Sequence, residues 1–118
     1  MKTLLLLALA LPAFAAHLIS IGWTDSINPS GTKYNVYRLT GSCPTVPPQV
    51  SPPGGAWTPI ASGVIATNAT DGAVTPGTTY CYLVTAVVTG SESAPSNTTQ
   101  AIEPIAFPPT MVQVTLIQ

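Results

Sequence analysis

Catalysis needs side chains that move protons or hold a nucleophile, and this sequence offers few. Its only histidine, His17, directly follows the small-residue stretch Ala13-Phe14-Ala15-Ala16, a mobile position and a poor one for a general base. Asp25 and Asp71 fall in separate turn-like segments, where Asp commonly accepts local hydrogen bonds, and they do not read as a paired acid and base. Glu92 and Glu103 read as solvated charges. No His-Glu-x-x-His, Gly-x-Ser-x-Gly or phosphate-cradling glycine loop occurs. Nothing in the spacing of Asp25 or Asp71 supports a calcium loop, and one histidine with two cysteines is too small a ligand set for a zinc site. The sequence therefore predicts no catalytic residue, no metal and no cofactor: not an enzyme.

The two cysteines, Cys43 and Cys81, leave two readings open, one disulfide or two free thiols, and the compartment bears on the choice. Met1-Lys2-Thr3, the apolar run Leu4 to Leu11 and the Ala13-Phe14-Ala15 exit have the layout of a secretory signal peptide cleaved after Ala15 or Ala16. The run is too short to span a bilayer, which takes about 20 apolar residues, so no transmembrane segment is expected after cleavage. Export favours the disulfide and a secreted, periplasmic or cell-surface location. Beyond the leader the charged side chains are Lys33, Arg38, Asp25, Asp71, Glu92 and Glu103. Without a basic stripe there is no footprint for nucleic acid, whose affinity comes largely from phosphate neutralisation. A chain this close to neutral is prone to associate.

The elements that must position these residues are short strands. Ile19, Ile21 and Trp23 share one face of a first strand. Asn28-Pro29-Ser30-Gly31 is a turn signal, and Tyr34-Asn35-Val36-Tyr37-Arg38-Leu39 is a strand rich in β-formers. Gly41 to Ala56 holds five prolines and reads as a long polyproline-like loop. Trp57 to Ala61 and Gly63 to Ala66 read as short, broken strands, and Ala69-Thr70-Asp71 leads into a turn at Thr75-Pro76-Gly77-Thr78. The strongest strand is Thr79 to Thr89, with Tyr80, Tyr82, Val84 and Ala86 on one face and Cys81, Leu83, Thr85 and Val87 on the other. Gly90 to Pro95 turns, Ser96 to Ile102 is a further strand, Pro104 to Pro109 is a linker and Met111 to Ile117 a last strand. Many short strands with turns every 8–12 residues specify an all-β, antiparallel sandwich or barrel.

Four spaced elements together resemble a bacterial fibronectin type III domain: Trp23; Tyr34-Asn35-Val36-Tyr37-Arg38; Pro76-Gly77-Thr78-Thr79-Tyr80-Cys81-Tyr82-Leu83-Val84-Thr85-Ala86; and Glu92-Ser93-Ala94-Pro95-Ser96-Asn97. The resemblance implies an immunoglobulin-like β-sandwich over residues 17–103, after a leader at 1–16 and before a proline-rich linker and strand at 104–118. It implies core positions for Trp23 on strand B, Tyr34 and Val36 on strand C, and Tyr82 and Val84. Tyr80 would be the tyrosine-corner residue, its hydroxyl bonded back to upstream backbone. Strands C and F are neighbours in that fold, which brings Cys43 beside Cys81 and supports a bridge on the outer sheet face, at the base of the long loop. The family's strand A has no counterpart ahead of Trp23, whereas Pro108-Pro109-Thr110-Met111-Val112-Gln113-Val114 resembles the start of one. The last strand, with Met111, Val112, Val114 and Leu116, therefore begins a following domain, folds back within its own molecule, or fills the gap in a neighbour.

The function expected is that of a secreted, non-catalytic structural or adhesive module acting through protein contacts, including self-association by the C-terminal strand. The alternative is a carbohydrate-associated accessory module, with Tyr37 and Trp57 stacking on polysaccharide rings. The opposing reading packs both rings under the long loop. Asn68-Ala69-Thr70 and Asn97-Thr98-Thr99 match the N-glycosylation acceptor, a pattern frequent by chance in a Thr-rich chain.

Overall fold

A computed structural model describes residues 17–105 of the chain. The expected leader at 1–16 and the expected last strand, with Met111, Val112, Val114 and Leu116, lie outside the described residues. Within them the chain is all antiparallel β: β1 (Ile19–Gly22), β2 (Lys33–Thr40), β3 (Thr58–Val64), β4 (Asn68–Asp71), β5 (Thr79–Val88), β6 (Ser91–Glu92) and β7 (Thr99–Ile102). One sheet holds β1 and β4; the other runs β3-β2-β5, with β6 and β7 both pairing the far edge of β5.

The alternation in β5 decides the layering. Tyr80, Tyr82, Val84 and Ala86 point between the sheets, where they meet Ile19, Tyr34, Val36 and Val74, with Ile21, Trp23, Ile60 and Ala69 packed at the margin. Trp23 sits edge-on to Tyr34, ring centroids 5.4 Å apart at 62°, an arrangement aromatic quadrupoles favour. The Tyr80 hydroxyl accepts the backbone N–H of Thr75 at 2.8 Å, which satisfies a polar group that its ring carries into the core.

The other face of β5 is equally dry. Cys81, Leu83 and Thr85 are no more than 1% exposed and Tyr37 only 6%. The long loop between β2 and β3 is tied across this face. Cys43 is bridged to Cys81, with 5.0 Å between Cα atoms, and its N–H donates to Gln100 Oε1 at 2.9 Å. Further along, the Ser51 hydroxyl donates to the Ser93 carbonyl and Pro53 is buried. A proline-rich segment suits this task, since it orders at low entropic cost and asks for few donors.

Two local readings are corrected. Ala69-Thr70-Asp71 is not the approach to a turn but strand β4, paired with β1 from Ile19↔Asp71 to Gly22↔Asn68. The two broken strands at 57–66 are one strand, β3. It pairs β2 through register shifts around Val36 and stays continuous because Gly63 takes φ 67° and donates its N–H to Asn35 Oδ1 at 3.0 Å.

Candidate interaction edge

Three of the carboxylates are structural, which corrects their reading as turn acceptors or solvated charges. Asp71, 3% exposed, accepts two bonds from Arg38 Nη1 at 2.9 and 3.0 Å, one from the Tyr82 hydroxyl at 2.7 Å and one from Ala73 N–H at 3.1 Å. Asp71 belongs to one sheet, and Arg38 and Tyr82 to the other, so this is a clamp between the two layers. The guanidinium also lies 5.3 Å from the Tyr80 ring centroid. Burial pushes the Asp71 carboxyl up, but the bonds from Tyr82, Arg38 and Ala73 together hold it below its ordinary value. Burial and the ionised Asp71 push the Tyr82 phenol well above its usual range.

On the opposite face Glu92 Oε2 accepts from the Tyr37 hydroxyl at 2.6 Å, Thr85 Oγ1 at 2.6 Å and Asn35 Nδ2 at 3.4 Å. Burial raises this carboxyl, and the Thr85, Tyr37 and Asn35 bonds overcome that and lower it. Tyr37 is therefore a buried strut, which corrects the expectation that its ring offers a stacking surface; Trp57 is half-buried. Glu103 is 6% exposed, with Oε2 3.1 Å from His17 Nδ1, so His17 has a fixed neighbour. Among the described residues no group of three or more His, Cys, Asp or Glu side chains could hold a metal, and no helix is long and apolar enough to cross a membrane.

The surface that invites a partner is the edge of β1. Its ladder with β4 continues one residue further, Trp23 N–H donating to the Thr67 carbonyl at 3.0 Å. In an antiparallel ladder alternate residues bond the same neighbour, so Ile19, Ile21 and Trp23 direct their N–H and C=O groups at β4. Ser20 and Gly22 direct theirs away from it. Among the described residues no strand pairs with β1 on that side.

Beside this edge the sandwich is open. Two adjoining cavities of about 210 and 330 Å³ lie between β1 and the chain segment that runs from β6 to β7. Trp23, Val84 and Ser96 border both, Tyr34 and Ala86 line the first, and Ile21 and Tyr82 the second. The Trp23 indole N–H is buried with no acceptor among the described residues. At the outer end Asp25 accepts from Ile27 N–H, Asn28 N–H, Asn28 Nδ2 and the Tyr34 hydroxyl, all within 3.1 Å. Those bonds, the Asn28 backbone bond foremost, hold its carboxyl well below the usual range. Asp25 thus caps the rim of the groove and is already fully engaged.

Sequence reading located Trp23, Tyr34, Val36, Tyr80, Tyr82 and Val84, all of which meet around the core, but not the clamp or the edge. One signal for the clamp was available: Arg38 shares the inward phase of Tyr34 and Val36, and a charge carried inward needs a buried partner.

The architecture is an immunoglobulin-like antiparallel sandwich. A Fn3-like protein from Clostridium thermocellum is similar at 30% identity and TM-score 0.56, with 79% of this chain and 82% of that one covered. A fourth FNIII domain of human origin is similar at 24% identity and TM-score 0.57, over 80% of this chain and 72% of that one. The twitchin kinase region of C. elegans matches at 18% identity and TM-score 0.52, over 75% of this chain and 14% of its own. No family model and no curated protein sequence matches. The chain belongs to the fibronectin type III family.

Proposed function

We propose that this chain is an exported, non-catalytic structural or adhesive module that works by protein contact, receiving an extended strand along the open edge of β1. The observation that carries the reading is the outward-facing backbone of Ser20 and Gly22 beside a groove lined by both apolar and polar side chains. Strand addition takes its affinity from such main-chain groups and its selectivity from side-chain pockets next to them. The Cys43–Cys81 bridge suits an oxidising compartment. The polysaccharide reading loses one of its two rings, because Tyr37 is buried.

Amide hydrogen exchange on the dilute protein tests it. Ile19 and Ile21, turned to β4, should be protected, while Ser20 and Gly22 exchange at near-unprotected rates. Protection of Ser20 and Gly22 at every concentration would mean that the edge is already covered within the molecule, and the proposal would fail.

A further inference from the structure

Given that the β1 edge docks a strand, we infer that the strand is residues 110–117 of a second copy of this chain, running antiparallel to β1. Four observations lead there, the first being pattern. Residues 112–116 alternate, placing Val112, Val114 and Leu116 on one face with Gln113 and Thr115 on the other, while the apolar Met111 and Ile117 join the second face at its two ends. That is the period of a half-buried strand, and residues 106–118 carry no charged side chain that docking would have to desolvate.

The second is chemistry. Ile21, Trp23 and Val84 give the groove apolar lining, and Thr24, Ser93 and Ser96 give it polar lining. An inserted strand supplies carbonyl oxygens as well as side chains.

The third is reach and direction. His17, at the start of β1, touches Glu103, just past β7, while Trp23, just past β1, borders the same cavities as Ser96, ahead of β7. The two segments therefore run in opposite directions, and the chain leaves the described residues at Ile105, beside Gly77 and at the His17 end. Every strand pair among the described residues is antiparallel, and a strand that keeps this pattern against β1 must enter at the Trp23–Thr24 end. From His17 to Thr24 is roughly 23 Å of extended chain. Residues 106–109 span about 14 Å at most. A chain's own tail cannot enter with that polarity; a neighbour's tail can.

The fourth is the linker. Phe107 and Pro108 each precede a proline, which steers both toward extended conformations. A proline-rich stretch of this composition favours an extended spacer over a tight reversal. Each copy then has one groove and one tail, so contacts are head-to-tail, and association continues into chains unless two tails are exchanged reciprocally.

The test uses the full chain in its exported form. A Ser20→Cys variant and a Thr115→Cys variant are mixed and treated with a short bis-maleimide. The expected product is a Ser20–Thr115 cross-link between two chains, lost when the tail variant also carries Val112→Asp and Val114→Asp. In parallel, exchange at Ser20 and Gly22 should slow about tenfold as concentration takes the site from mostly free to nine-tenths occupied, since exchange through the open form follows its population. A cross-link formed only within one chain, in the Ser20→Cys/Thr115→Cys double variant, overturns the inference in favour of the chain's own tail. Absence of any cross-link, with Ser20 and Gly22 exchanging fast at every concentration, also overturns it but leaves the docking edge standing for a different partner.

Discussion

Replacing Asp71 by Ala should be among the most damaging single changes away from the β1 edge. The carboxylate is 3% exposed and holds the Arg38 guanidinium, whose side chain is 16% exposed, together with the Tyr82 hydroxyl. Removing one partner of a buried ion pair costs about 3–5 kcal/mol. That figure takes in much of the ~1–3 kcal/mol for leaving a buried hydroxyl unbonded. The residual exposure of Arg38 lets water reach the guanidinium, which places the expected loss near the lower end, about 3 kcal/mol. A domain of this size is stable by roughly 5–13 kcal/mol, so a large fraction of that margin disappears. In urea the midpoint should fall by roughly 2 M with m unchanged. The double variant Arg38→Met/Asp71→Leu should recover part of the loss, since an apolar pair of similar volume removes both charges. The pH dependence has a definite sign. The Asp71 carboxyl is lower in the folded protein than its ~3.9 in the unfolded chain. Its contribution is therefore complete above about pH 4 and is lost as pH falls through the folded value. Asp71→Ala should flatten that acid limb. A loss under about 1 kcal/mol, in the range of exposed pairs, with an unchanged acid limb, would refute the clamp.

Reducing the Cys43–Cys81 bridge opens a 38-residue separation and should cost about 4 kcal/mol, read as the urea midpoint with and without reductant. Gly77 takes φ 82°, and an added Cβ would sit 2.7 Å from Ile105 Cδ1. Gly77→Ala should therefore destabilise by more than ~1 kcal/mol, whereas Gly22→Ala, where φ is not positive and an added Cβ meets nothing within 4 Å, should leave stability unchanged or raise it by up to about 1 kcal/mol. Glu92→Gln removes the ionised acceptor shared by Tyr37 and Thr85. It should cost about 1 kcal/mol at pH 7, and the difference should shrink as pH falls through the folded value, which lies below the ordinary one; thermal melts across the acid range check this.

Local pattern was enough for the family and for most of the strands, though not for β4 or the continuity of β3. The period-2 alternation of β5 is written in consecutive residues, and so are the turn at Pro76-Gly77 and the tyrosine five residues after Thr75, whose N–H it captures. A strand shows its faces in its own sequence because successive side chains point to opposite sides. What joins one strand to another is not written there. Asp71 looks like a turn residue until β4 is paired with β1 and the clamp closes onto Arg38, 33 positions away. Tyr37 looks available for stacking until the long loop is fixed across its face by Cys43 and Ser51. Register decides the working edge in the same way. That Ser20 and Gly22, and not Ile19 and Ile21, turn their backbone groups outward follows from the Trp23–Thr67 bond. Side-chain alternation along a single strand identifies its buried face. Only pairing in three dimensions assigns the backbone donors and acceptors, because each must find its partner on another segment of chain.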